Sequence, residues 1–252
     1  MTDPELRAAS ALRFGDDGLI LSHRLAEWSS LAPELEEDVA LTNIALDLLG
    51  QARMLLTHAG ELEGHGRDED GLAFLRDERE FVNCLLVEQE NGDFAVTIVR
   101  QLLYSTHQLG LLEGLLGSSD PILAAVAAKA VKEVAYHRDH AVGWTLRLGD
   151  GTEESHRRMQ SAVDRMWPYA AELFETDDVA RRAAAAGVAP DPAALRPAWD
   201  AAVGAVLREA TLTRPEEAWA PSGGRRGLHT EALSLLLAEM QVLHRAHPGA
   251  RW

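Results

Sequence analysis

Apolar residues recur every three to four positions over most of the chain, the spacing that lines one face of an α-helix. Leu19, Leu21 and Leu25, with Ile20 and Trp28, predict a first amphipathic helix over about 18–28, and Ala32-Pro33 ends it. ELEEDVALTNIALDLLGQARMLLTHAGEL follows, acidic in its first turn, where the helix dipole favours carboxylates, and apolar thereafter. Gly60, Gly64 and Gly66 break this second helix. A third is expected over about 70–89, and a fourth over 94–116 with Asp93 as its N-cap. Asp120-Pro121 in GSSDP opens a fifth, of ~29 residues or about 43 Å, which Gly149-Asp150-Gly151 stops. A sixth starts near Thr152 and is cut or kinked by Pro168. Beyond Thr176 the segments shorten and prolines multiply, until a last helix over about 230–245.

No stretch sustains the alternation and β-branched enrichment of a strand. The expected fold is all-α, a bundle of four long helices with shorter C-terminal helices packed around it. With no repeat and no linker composition, residues 1–252 read as one domain.

Composition narrows the function. The chain is 46% hydrophobic and 25% charged, and no uninterrupted apolar run approaches the ~18–20 residues of a membrane span. The N-terminus lacks the order of a signal peptide, which points to the cytoplasm. Cys84 is the only cysteine, so an intrachain disulfide and a cysteine metal cluster are excluded. A net charge of −16 argues against nucleic acid as a partner. The GGRRG run at 223–227 is the local exception: Arg225 and Arg226 are candidate anion contacts, and a solvated turn is the plainer alternative.

Two polar rows lie within the long helices. Asn43, Asp47 and Gln51 share a face of the second, and Lys129, Glu133 and His137 share one of the fifth, with Lys132, Tyr136 and His140 beside them. Such rows are either solvated faces, supported by pairs such as Lys129–Glu133 worth ~0.2–0.5 kcal/mol, or inward faces whose groups must find partners. Di-iron carboxylate bundles use two Glu-x-x-His pairs on different helices. Glu153 with His156 has that spacing, but it sits in a first turn where acidic residues are expected anyway. His23, His58 and His229 have no visible convergent partners, and Cys84 reads as core. There is no phosphate loop, G-x-S-x-G elbow or H-E-x-x-H motif.

ALTNIALDLLGQAR at 40–53, FLRDEREFVNCLLVEQENGDFA at 74–95, KAVKEVAYH at 129–137 and the C-terminal GGRRGLHTE, LLAEMQ and HPGARW runs carry a resemblance. From about Leu12 to Trp252 the chain resembles the structural subunits of bacterial phenylacetyl-CoA ring-1,2-epoxidases. The resemblance implies a ferritin-like bundle and membership of a multicomponent monooxygenase of aerobic phenylacetate catabolism. In that complex a ferritin-like catalytic subunit holds the di-iron centre and binds the CoA thioester. A reductase passes electrons from NADPH through flavin and an iron–sulfur centre. The chain itself is then expected to bind no cofactor, to catalyse nothing alone, to associate with the catalytic subunit, the other subunits and itself, and to bind neither nucleic acid nor membrane.

Against the catalytic relatives, the ligand glutamate and histidine of the second helix align with Leu48 and Gln51. Those of the later helix align with Val134 and His137, and the two unpaired carboxylates fall near Gly18 and Ser105. The resemblance thus implies a degenerate metal site, with one ligand type in six kept and too few donors for iron. It also implies a buried polar network among Asp47, Gln51, Lys129, Lys132, Glu133 and His137, favourable only if every member is paired. The alternative is a di-iron oxygenase active in its own right.

Overall fold

The computed structural model describes residues 3–216 and 219–250, so the last two residues of the HPGARW run lie outside it. The fold is all-α: among the described residues there are ten α-helices and no strand. These are α1 (Asp3–Ala26), α2 (Leu35–Glu63), α3 (Glu69–Phe74), α4 (Leu85–Glu88), α5 (Phe94–Leu115), α6 (Pro121–Gly149), α7 (Glu153–Met166), α8 (Asp178–Ala185), α9 (Pro192–Glu209) and α10 (Glu231–Ala246). The stretch expected to be one domain, 1–252, divides into two compact units. One comprises residues up to 90 with those from 223 onward, and the other comprises 91–222.

In the first unit α1 and α2 run antiparallel in close contact. A Cβ on Gly15 would stand 2.9 Å from Leu56, and one on Gly18 would stand 3.2 Å from the Leu48 carbonyl, so two glycines let the helices approach. The α1 helix begins fifteen residues before its expected start at 18, because FGDDG, which looks like a turn, is helical. Leu41, Ile44, Leu48, Leu55 and Leu56 form the inner face of α2. Over 18 residues α2 reaches a mean hydropathy of 1.3, long and apolar enough by length and composition for a membrane span, but here one side is packed on α1.

The third expected helix is the main departure. Residues 70–89 form α3, a 3-10 turn at Glu78–Glu80, an extended stretch and the single turn α4. Helical hydrogen bonding is displaced there by carboxylates from α1. The N–H of Val82 donates to Asp16 at 2.9 Å and that of Cys84 to Asp17 at 2.7 Å. Buried N–H groups satisfied this way have no need of an intrahelical partner.

In the second unit the caps fall where the sequence places them. Asp93 accepts from the N–H of Val96 at 3.1 Å, and Asp120 from those of Ile122 and Leu123 at 2.9 and 3.2 Å. Pro121 opens α6, and after α7 the Trp167-Pro168 step turns the chain into 3-10 geometry over Trp167–Phe174. Pro192 begins α9 and Pro197 lies inside it; the Trp199 indole donates to the Leu103 carbonyl at 2.9 Å, fixing α9 on α5.

Candidate functional site

The first unit is built around three buried carboxylates, each facing a cation. Asp16 takes two hydrogen bonds from the Arg76 guanidinium, which also lies 4.1 Å over the Phe81 ring. Asp17 takes two from Arg225, at 2.9 and 2.8 Å. Glu88 accepts from Asn83 at 2.8 Å and from the N–H and hydroxyl of Thr230 at 2.7 and 2.8 Å, and stands 2.8 Å from His229 Nδ1. His229 Nε2 is 2.9 Å from the Phe81 carbonyl, so both ring nitrogens face acceptors, a pairing that only the doubly protonated ring satisfies. Burial works to lower the His229 pKa, but the hydrogen bond and charge of Glu88 and the Phe81 carbonyl outweigh it, and the net shift is upward. The cluster ties the 76–90 segment and the 223–230 loop to α1.

The loop at 223–227 is therefore neither a solvated turn nor an open anion cradle. A Cβ on Gly224 would meet the Asn83 carbonyl at 2.2 Å, and Gly227, at φ +70°, would meet that of Arg79 at 2.2 Å. Only glycine allows this approach. Arg225 is turned inward, donating also to the carbonyls of Val82 at 2.9 Å and Arg13 at 3.3 Å. An anion at Arg225 has to compete with Asp17; Arg226 alone of the pair is exposed.

The six positions that the resemblance implied as former ligand positions are all interior. Leu48, Gln51, Ser105, Val134 and His137 are each no more than 3% exposed, and Gly18 is buried too. Gly18 and Leu48 touch within the first unit. Ser105 turns its hydroxyl back to the Gln101 carbonyl of its own helix. None of the six is a carboxylate, and among the described residues no three His, Cys, Asp or Glu side chains converge.

Residues 3–252 match the family model described as phenylacetic acid catabolic protein. The chain belongs to that family. It is also 52% identical over 244 residues, covering 97% of this chain and 98% of the relative, to one of the subunits of the 1,2-phenylacetyl-CoA epoxidase from Escherichia coli (strain K12).

In this family member the expected polar network divides. Gln51 and His137 are buried, and Asp47 and Glu133 are half-buried, but Lys129 and Lys132 stand in solvent. Lys129 is 62% exposed and meets Glu133 at 3.6 Å as an ordinary i,i+4 surface pair, so the two lysines are not members of a buried set. Asp47 and Gln51 belong to the first unit, the other four to the second. His156, of the lone Glu-x-x-His spacing, sits 2.7 Å from the Gly149 carbonyl and serves the end of α6. The sequence did not point to Asp16, Asp17, Arg76, Glu88 or His229. The one available signal was an Asp-Asp pair followed at once by GLILS, carboxylates at the edge of an apolar helix.

Proposed function

We propose that this chain is the non-catalytic, structural subunit of a phenylacetyl-CoA epoxidase complex in phenylacetate catabolism. It binds and stabilises the di-iron subunit that epoxidises the aromatic ring. The observation that carries the reading is the filling of the six ligand positions by Gly18, Leu48, Gln51, Ser105, Val134 and His137, all buried. A carboxylate-bridged iron pair needs about four carboxylates and two histidines. This set offers one histidine and no carboxylate, so it does not fit the metal pair, and no step of the oxygenation is assigned to this chain. Leu48 supplies apolar volume in the first unit and Val134 in the second, each burial worth ~1.5–3 kcal/mol.

The 52% identity to a subunit of such an epoxidase supports the same assignment of partners. The di-iron centre resides in the catalytic partner, and the reductase brings NADPH, flavin and iron–sulfur chemistry. The chain acts within the cytoplasmic complex and associates with itself and its partners.

The test is reconstitution. The chain alone, the catalytic subunit alone and the two together are assayed with the reductase for NADPH- and O2-dependent epoxidation of phenylacetyl-CoA. Turnover is expected only where the catalytic subunit is present, and higher with both. Epoxidation by this chain and the reductase alone would overturn the proposal.

A further inference from the structure

The outer face of α2 is apolar and uncovered. Leu35, Val39, Leu46 and Leu49 are 77, 54, 59 and 42% exposed, and their spacing places them in one row about 21 Å long, four turns of helix. Gly50 lies beside the row with no atom within 4 Å of where its Cβ would be, so the backbone itself is open to close approach. Next to Leu46 and Leu49 is a hollow of about 160 Å3 between α2 and α1, lined also by Ser22, His23, Ala26 and Thr42. That is the size of a cavity that holds a benzene ring. Burial holds the His23 pKa below the ordinary histidine value, which keeps the hollow uncharged at neutral pH.

The flanks of the row carry one sign of charge. Between Arg24 and Arg53 the chain has six acidic residues and no basic one; Arg24 holds Glu27 at 2.6 Å and Glu37 is buried, which leaves Glu34, Glu36, Asp38 and Asp47. Glu34 and Glu36 are exposed and have no ion pair among the described residues. An anionic lipid surface is repelled by such flanks. A second copy packed antiparallel would bring its acidic end to Arg53, which Glu69 already holds at 3.0 Å with Asp68 and Asp70 alongside. An amphipathic helix with an apolar seam and basic flanks satisfies both the row and its charge.

We propose that the α2 face from Leu35 to Leu49 is the docking surface for a helix of the catalytic subunit, one that presents an apolar seam, flanking Lys or Arg, and one bulky apolar side chain that enters the hollow beside Leu46 and Leu49. This rests on the reading of the chain as a subunit of the complex. A central anchor in a pocket surrounded by contacts that exclude water is how most binding energy is concentrated at such surfaces.

The experiment measures binding of the full chain to the purified catalytic subunit, for wild type, Leu46→Glu with Leu49→Glu, Glu34→Lys with Glu36→Lys, and Leu235→Glu. Leu235, 58% exposed on α10, is the control for an apolar-to-charged change elsewhere on the surface. Far-UV spectra and melting of each chain alone are expected to match wild type, because all the altered residues are exposed. Affinity is expected to fall about 30-fold or more in the leucine pair. It should fall less in the charge-reversed pair, with a weaker salt dependence, and remain unchanged in Leu235→Glu. Equal binding by wild type and the leucine pair overturns the docking surface alone; so does an equal loss in Leu235→Glu. A wild-type chain that does not bind the catalytic subunit at all overturns the subunit reading together with this inference. If the chain alone forms a dimer, or binds phosphatidylcholine vesicles, and the leucine pair abolishes it, the occupant is a second copy or a lipid surface and the proposal fails.

Discussion

Residues 16, 17 and 18 are consecutive on α1, yet the interior treats them in opposite ways. At Asp16 and Asp17 it accepts full negative charges, because Arg76 and Arg225 are brought against them and the N–H groups of Val82 and Cys84 fill the remaining acceptor sites. At Gly18 the interior holds no side chain and closes on Leu48 and Ala52. Buried charge persists in this chain where the counter-charge is part of the same chain.

The comparison can be broken most forcefully at Arg76. Arg76→Ala leaves Asp16 buried without its cation and is expected to cost about 3–5 kcal/mol in urea unfolding. A loss under 1 kcal/mol would mean the carboxylate does not depend on the guanidinium. The opposite change introduces a carboxylate without a counter-charge. Leu48→Glu places a carboxyl in an apolar site and is expected to cost about 3 kcal/mol at neutral pH. There the folded chain holds the carboxyl neutral and its pKa high, so the deficit should shrink as pH falls toward the free glutamate value of about 4.3. A deficit independent of pH would assign the cost to shape alone.

Smaller effects sharpen the picture of the loop that delivers the cations. Gly227→Ala forces a Cβ onto the Arg79 carbonyl at positive φ and is expected to lower stability by about 2 kcal/mol, measured by thermal melting. For His229 the sign follows from its raised pKa. The protonated ring is favoured by folding, so the Glu88–His229 contribution is complete below the ordinary value of 6.5 and is lost as pH rises through the higher folded value. Relative to wild type, His229→Gln is expected to lose about 1.5 kcal/mol at pH 6 and progressively less at pH 8–9. A difference that grows with pH would show that the folded ring is neutral.

The helices that depend on local signals were legible in the sequence. Asp93, Asp120 and Thr152 cap where the pattern puts them, Pro168 ends α7, and α10 lies within one residue of its expected bounds. What was not legible is the cluster of long-range pairs. Asp16 finds Arg76 sixty residues on, and Asp17 finds Arg225 at a separation of 208. No window of sequence contains both members. Their effect on local structure was hidden for the same reason: residues 75–84 have helical periodicity, but the N–H groups of Val82 and Cys84 are claimed by carboxylates from another helix. Of the candidate site, the interior placement of Leu48, Gln51, Val134 and His137 followed from the resemblance, since helical spacing left the rows of Gln51 and His137 open. The exposure of Lys129 and Lys132 did not, because a row of polar residues at i,i+4 has the same pattern whether it faces water or core.

The central claim, that the metal positions have been rebuilt as a metal-free interior, is tested most directly by the iron content of the chain purified alone, together with its melting temperature before and after chelation. The account predicts a folded chain with no stoichiometric iron and a melting temperature unaffected by chelator. About two irons per chain, with a melting temperature that falls when they are removed, would contradict it.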